Sequence, residues 1–194
     1  MTGSLSATGT IWSMFSLIAA VLCCSGFYLP FWIQGRLLER ADSYFNSFRR
    51  CNYPRLTSRG DIEIVMECGR YARFEDIPSM WWQVTTIVMC VGCALSVLSA
   101  VTALSACCFS YVLHSTSAKF TGGIQLLAAL LMASGMAIYP LGWDNRQIRE
   151  SCGNLSSPYR LGTCQLSWSV YILCSAVALL LLCALLSVCS AKNS

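Results

Sequence analysis

Four stretches of this chain, residues 10–32, 83–108, 120–139 and 166–189, contain no Asp, Glu, Lys or Arg. Each reaches the ~20 apolar residues that an α-helix needs to cross bilayer hydrocarbon. Lipid offers no partner to a backbone N–H or C=O, so each stretch must be helical. Charged residues are 11% of the chain, against about 25% in a soluble domain. The alternative for the first stretch is a cleaved signal peptide. Residues 1–11 carry no basic residue, however, and the stretch is longer than a signal core. It also closes on Phe27, Tyr28, Phe31 and Trp32, an aromatic group suited to a membrane–water interface. Four spans are therefore expected; a cleaved leader would leave three.

Four of the 13 cysteines lie outside these stretches. Cys51 and Cys68 fall in a polar loop at about 33–82, Cys152 and Cys164 in a second at about 140–165. Cytosolic thiols are kept reduced, so two disulfide-forming pairs place both loops in one oxidising compartment. With four crossings, both termini are then cytoplasmic. Pairing within each loop is the simplest reading, though four cysteines allow three connectivities. A Cys51–Cys68 bridge would contribute roughly 3 kcal/mol. Asn154-Leu155-Ser156 adds a glycosylation acceptor in the second loop. Basic residues oppose this orientation, with eight Arg in the first loop, three in the second, and only Lys119 and Lys192 elsewhere. Seven acids are interleaved with the first loop's Arg, as on a folded surface. The cysteines and the acceptor decide for extracellular loops, and the membrane expected is the plasma membrane, with an internal membrane as the alternative.

The first loop is rich in strand formers. Residues 61–68 largely alternate polar and apolar, the pattern of a half-buried strand. Residues 43–53 read as one or two more, with turns at Tyr53-Pro54 and Ser58-Arg59-Gly60. Pro78 suits the first turn of the second helix, with Trp81 and Trp82 at interface depth. The fold expected is an all-α transmembrane four-helix bundle with a small extracellular antiparallel β-sheet. No linker or repeat divides it, so residues 1–194 read as a single domain. Only residues 190–194 follow the fourth span, leaving no cytoplasmic domain there.

Within the spans, Gly122, Gln125, Ala129, Ala133 and Ala137 form one small-residue row, and Gly92, Ser96, Ser99 and Ala103 another. Small residues let helices approach closely where lipid supplies no hydrophobic drive. Gln125 is expected to hydrogen-bond a neighbouring helix; a pore or substrate role is the alternative. Cys90-Val91-Gly92-Cys93 has a redox spelling but sits in an apolar span with no basic neighbour to lower a thiol pKa. It reads as packing, like Cys23, Cys24, Cys174 and Cys183. Cys107, Cys108 and Cys189 lie at cytoplasmic span ends and are palmitoylation candidates. Intramembrane ionisable residues, which mark ion paths and proton relays, do not occur in these stretches. His114 is the single histidine and has no acidic or cysteine cluster around it in sequence. The chain reads as no enzyme, with no cofactor, no metal and no nucleic-acid partner.

Several segments together resemble the lipoma HMGIC fusion partner-like tetraspan family of the claudin-like superfamily. They are Phe48-Arg49-Arg50-Cys51-Asn52-Tyr53-Pro54, Glu67-Cys68-Gly69-Arg70-Tyr71-Ala72, Ile77-Pro78-Ser79 and Gly122-Gly123-Ile124-Gln125. Tyr139-Pro140-Leu141-Gly142-Trp143-Asp144, Cys152-Gly153 and Leu161-Gly162-Thr163-Cys164 complete the set. The elements around Cys51 and Cys68 suggest the subgroup of the lipoma HMGIC fusion partner itself. No Gly-Leu-Trp precedes Cys51, which separates the chain from true claudins and their paracellular pores. The resemblance implies a left-handed bundle capped by an extracellular sheet. It also implies an auxiliary subunit, since family relatives serve a hair-cell mechanotransduction channel and synaptic GABA-A receptor complexes.

The function expected is thus assembly or trafficking of a larger channel or receptor. Its partners would be membrane lipid, another integral membrane protein, and a second copy if the chain oligomerises. Claudin-like cell–cell adhesion is the alternative. Trp143 is expected to join helix and sheet where the third span meets the outside.

Overall fold

The computed structural model describes residues 7–37, 41–56, 61–108 and 115–192. Four long helices dominate: α1 (Ala7–Tyr28), α2 (Met80–Cys108), α3 (Ser115–Ile138) and α5 (Trp168–Lys192). Each carries a segment long and apolar enough to cross a membrane. Five strands, β1 (Ile33–Leu37), β2 (Ala41–Phe45), β3 (Arg49–Leu56), β4 (Ile62–Arg70) and β5 (Gln165–Leu166), and a short helix, α4 (Arg146–Cys152), lie between them. The chain forms two compact units. One comprises Met1–Phe27, Val88–Ser134 and Ile172–Ser194; the other comprises Tyr28–Ile87 and Gly135–Tyr171.

In the first unit the buried residues alternate at spacings of three and four. On α5 they are Leu173, Ala176, Leu180, Cys183 and Ser187; on α1 the row Trp12, Ser16, Ala19 and Cys23 follows the same spacing, flanked by the buried Ser13 and Ala20. That 3.5-residue repeat is the signature of helices wound gently left-handed about one another. Met14, Leu17, Ile18 and Val21 project from the other side of α1 and are exposed, as lipid-facing residues should be. The α2 row expected from sequence, Gly92, Ser96, Ser99 and Ala103, is buried throughout. The α3 row holds at Gly122, Gln125 and Ala129 but not beyond: Ala133 is half-buried and Ala137 exposed. A strict four-residue step drifts around a 3.6-residue helix, so the seam passes to Met132 instead.

Gln125 shows how this unit treats a polar group. It is fully buried, accepts the Trp12 indole N–H at 3.2 Å and donates to the Ser16 hydroxyl at 2.7 Å. Ser16 in turn donates to the Trp12 carbonyl at 2.7 Å. Ser13 donates to the Ala103 carbonyl at 2.8 Å, tying α1 to α2. Gly122 permits the closest approach: a Cβ there would lie 2.7 Å from the Cβ of Ser187. Gly92 makes similar room for Met132, 3.0 Å from its sulfur.

The second unit holds an antiparallel sheet in the order β4-β3-β2-β1-β5. Cys51 faces Cys68 in the β3–β4 register, and a bulge follows at Asn52, which adopts a left-handed φ of 56°. β1, from the first loop, pairs with β5, from the second, with Ile33 opposite Leu166. The two loops therefore share one sheet and stand on the same side of any membrane the helices cross.

Several boundaries differ from the sequence reading. The first helix ends at Tyr28, since Pro30 and the buried Trp32 turn the chain into β1. Leu166 belongs to β5 rather than the fourth span. The second helix begins at Met80, three residues before the expected boundary, and the third at Ser115, so it contains Lys119. Pro78 precedes α2 instead of sitting in its first turn. Ser79 caps the helix, its hydroxyl accepting from the Trp81 N–H at 3.2 Å. Two strands, β2 and β3, cover the segment read as one or two, as expected, but Tyr53 and Pro54 form no turn: β3 runs on through them, paired with Val65 and Ile64 of β4. The Ser58-Arg59-Gly60 turn and His114 lie outside the described residues.

Gln125→Leu keeps much of the volume but strands the buried Trp12 N–H and leaves the Ser16 hydroxyl only its bond to the Trp12 carbonyl. Thermal unfolding in detergent should show a loss of about 1 kcal/mol, the scale of an interhelical hydrogen bond in membranes. An unchanged melting temperature would contradict this.

Candidate functional site

The sheet-bearing unit gathers nearly every residue singled out in the two loops. Its centre is Tyr139, the first residue of a 3-10 turn (Tyr139–Trp143) that continues directly from α3. Pro140 sits at the start of that turn, where its missing N–H costs nothing. The Tyr139 ring stacks on Trp82 at 5.2 Å and meets Trp32 edge-on at 4.9 Å and Trp143 edge-on at 6.2 Å. Pairs in these geometries contribute about 0.5–1.5 kcal/mol each beyond area burial. The Tyr139 hydroxyl donates to the Phe45 carbonyl of β2 at 3.4 Å. The polar link to the sheet thus comes from Tyr139, while Trp143 supplies packing.

Gly142 is needed for closeness. A Cβ there would lie within 2.6 Å of the Trp82 indole nitrogen and 2.9 Å of the Ser79 hydroxyl. Asp144 pairs with Arg149 of α4. Asn145 caps α4, accepting from the Ile148 N–H at 3.1 Å while its amide donates to the Gly142 carbonyl at 2.7 Å. The Tyr-Pro-Leu-Gly-Trp-Asp segment is therefore a connector: a stacking ring, a gap for an indole, then a charge and a cap.

The first-loop motif has matching structural work. The Arg49 guanidinium lies 4.4 Å from the Tyr28 ring centre and donates to the Tyr28 carbonyl at 3.2 Å. Arg50 lies over Tyr53 at 4.1 Å and Tyr71 at 5.1 Å. Tyr71 donates to Gln147 of α4 at 2.6 Å. Burial pushes the Tyr71 phenol above its ordinary range despite the opposing Arg50 charge, so it remains a neutral donor. Asn46, fully buried, accepts from the Phe48 and Arg49 N–H groups and donates to the Leu29 carbonyl at 3.0 Å.

Cys51 and Cys68 are joined across β3 and β4, and Cys152 and Cys164 across the second loop. Gly35 of β1 accommodates the latter bridge, since a Cβ there would meet the Cys164 sulfur at 2.5 Å. Asn154 is exposed just beyond α4. Cys189 is exposed on α5, whereas the side chains of Cys107 and Cys108 lie outside the described residues. Of the Cys90/Cys93 pair, Cys90 faces outward and Cys93 is buried. No cluster of three or more His, Cys, Asp or Glu suited to a metal occurs among the described residues.

Sequence reasoning had Tyr139 and Trp143 within one motif but not the indoles that meet them. Trp32 and Trp82 are fully buried, not interface anchors. The available signal was their position, Trp32 just after the end of α1 and Trp82 in the first turn of α2.

The family model described as "Lipoma HMGIC fusion partner-like protein" matches residues 8–192. The chain is 35% identical over 121 residues to the LHFPL tetraspan subfamily member 2a protein of Danio rerio, covering 62% of this chain and 54% of the relative. It is 30% identical to the human LHFPL tetraspan subfamily member 4 protein, covering 86% of this chain and 64% of the relative. With the member 5 protein of Gallus gallus it shares 31% identity over 87% of this chain and 72% of the relative. The match thus spans between half and two thirds of the first two relatives' lengths.

Gly142→Ala should destabilise the protein by about 1–3 kcal/mol, the usual cost of overpacking. Tyr139→Phe, which loses one long hydrogen bond but keeps the stack, should lose about 1 kcal/mol or less. Thermal melting in detergent ranks the two; a larger loss for Tyr139→Phe would contradict the stacking account.

Proposed function

This chain belongs to the lipoma HMGIC fusion partner-like family, and on that premise we propose that it is a non-catalytic accessory subunit that assembles, traffics or localises a larger channel or receptor. Four membrane-crossing helices make it an integral membrane protein. We place the bridged loops outside the plasma membrane and both termini in the cytoplasm, because disulfides and a glycan acceptor belong to that compartment.

The observation that carries the reading is how the polar groups at membrane depth are engaged. Gln125, Trp12 and Ser16 satisfy one another inside the helical unit. The opposite faces present Val97, Leu98 and Val101 on α2 and Leu126, Leu127 and Leu130 on α3. Such faces offer surface for lipid or for another protein's helices. In the sheet, β4 pairs with β3 alone and is the long free edge. A folded loop unit with an open sheet edge and a helical unit with apolar faces are each suited to binding a second membrane protein.

Crosslinking in native membranes, then mild-detergent purification, should recover a larger integral membrane protein in fixed ratio to this chain. Deleting this chain should lower that partner's surface level. Unchanged surface level and distribution of every co-purified membrane protein would overturn the reading. Aggregation of otherwise non-adherent cells expressing only this chain would favour adhesion instead.

A further inference from the structure

The acceptor at Asn154 is only half available in the folded second loop. Asn154 is exposed, but Ser156, the hydroxyl residue of the same acceptor, is 3% exposed, and its hydroxyl is buried without a hydrogen-bond partner. An Asn-x-Ser/Thr acceptor is defined by its hydroxyl as much as by its amide. A transferase must therefore reach both.

The segment is also held in a fixed turn. The Ser156 N–H donates to the Gly153 carbonyl at 3.2 Å, and Ser157 and Arg160 exchange backbone hydrogen bonds at 3.0 and 2.8 Å. Tyr159 anchors the far side, its N–H on the Pro140 carbonyl at 3.3 Å and its hydroxyl on the Ala137 carbonyl at 2.7 Å. The Cys152–Cys164 bridge, with a sequence separation of 12, closes around all of this. Thr163 reinforces the closure by donating both its N–H, at 3.0 Å, and its hydroxyl, at 3.1 Å, to the Cys152 carbonyl. Gly162, at φ 65°, lies so close to the Cys152 carbonyl that only a glycine fits.

We propose that glycan transfer to Asn154 and closure of the Cys152–Cys164 bridge are competing events, so that this acceptor is modified only while the bridge is open. In transfer, the Asn154 amide nitrogen bonds to the anomeric carbon of a lipid-pyrophosphate-linked oligosaccharide; the lipid pyrophosphate leaves and the amide releases a proton. In closure, the two thiols give up two protons and two electrons, and a protein disulfide of the oxidising compartment is reduced to its dithiol. Once closed, the loop buries the Ser156 hydroxyl and the acceptor is lost. A glycan added first is compatible with the folded loop, because the Asn154 side chain points outward. Occupancy at Asn154 therefore records how long the loop stayed open.

The full-length chain, made with glycosylation blocked and purified in detergent, can be offered purified oligosaccharyltransferase and a lipid-linked oligosaccharide. Loading is read as a mobility shift that the Asn154→Gln variant must lack. The Cys152→Ala/Cys164→Ala variant should load about a hundredfold faster than the bridged chain, the scale set by a bridge over a loop of this length. The Cys51→Ala/Cys68→Ala variant, whose lost bridge lies elsewhere, should load as slowly as the parent. Equal rates for the bridged chain and the Cys152/Cys164 variant overturn the proposal, as does loading of neither. Acceleration by both cysteine variants overturns it too, since general loosening would then explain the effect. The assay needs no membrane, so its outcome is independent of the accessory-subunit reading.

Discussion

Hydrocarbon cannot hydrogen-bond a protein, and most of this structure follows from that. A backbone group or side-chain amide at membrane depth must find its partner within the chain. The helices satisfy the backbone. Gln125, Trp12 and Ser16 do the same for side chains, and the serines of the α2 row turn back onto their own helix, Ser96 onto the Cys93 carbonyl at 2.8 Å and Ser99 onto the Ser96 carbonyl at 2.8 Å. Association between apolar helices then depends on close contact, for which Gly122 and Gly92 clear the way.

Outside the helices water is available, and the organising force changes. A five-stranded sheet in which three strands have five residues or fewer is small for independent stability, and the unit compensates in three ways. Aromatic rings converge on Tyr139, guanidinium groups lie over tyrosine faces, and two disulfides restrict the unfolded chain. Asn46 and Asn145 add backbone capping at sharp turns. No member of this set is exotic; their concentration in one unit is what makes the loops a folded body.

Much of this was legible in the chain. The charge-free stretches announce the helices because burial in lipid tolerates nothing else, and the alternation at residues 61–68 announces β4 because a half-wet strand must alternate. What could not be read was decided by partners distant in sequence. Residues 33–37 became a strand because β2 and β5 flank them, not from any strong pattern of their own. Leu166 looks like span and is strand for the same reason. Trp32 and Trp82 are spelled like interface anchors, and only the arrival of Tyr139 from the third helix makes them core. Residues 146–152 have a cap in Asn145 but too short a run to display helical periodicity.

The pairing of β1 with β5 brings together residues made far apart in synthesis. Ile33 emerges early, and Leu166 only when the last helix is about to begin. The pairing extends to the start of α5: the N–H of Ser167, just before the helix, donates to the Trp32 carbonyl at 2.8 Å, and the Ser169 N–H in its first turn to the Phe31 carbonyl at 3.2 Å. Until then one margin of β1 stands unpaired, and unpaired strand margins are what folding surveillance and misassembly both act on. A nascent chain that has not yet delivered Gln165 and Leu166 therefore carries β1 with that margin open, whatever the rest of the sheet has done.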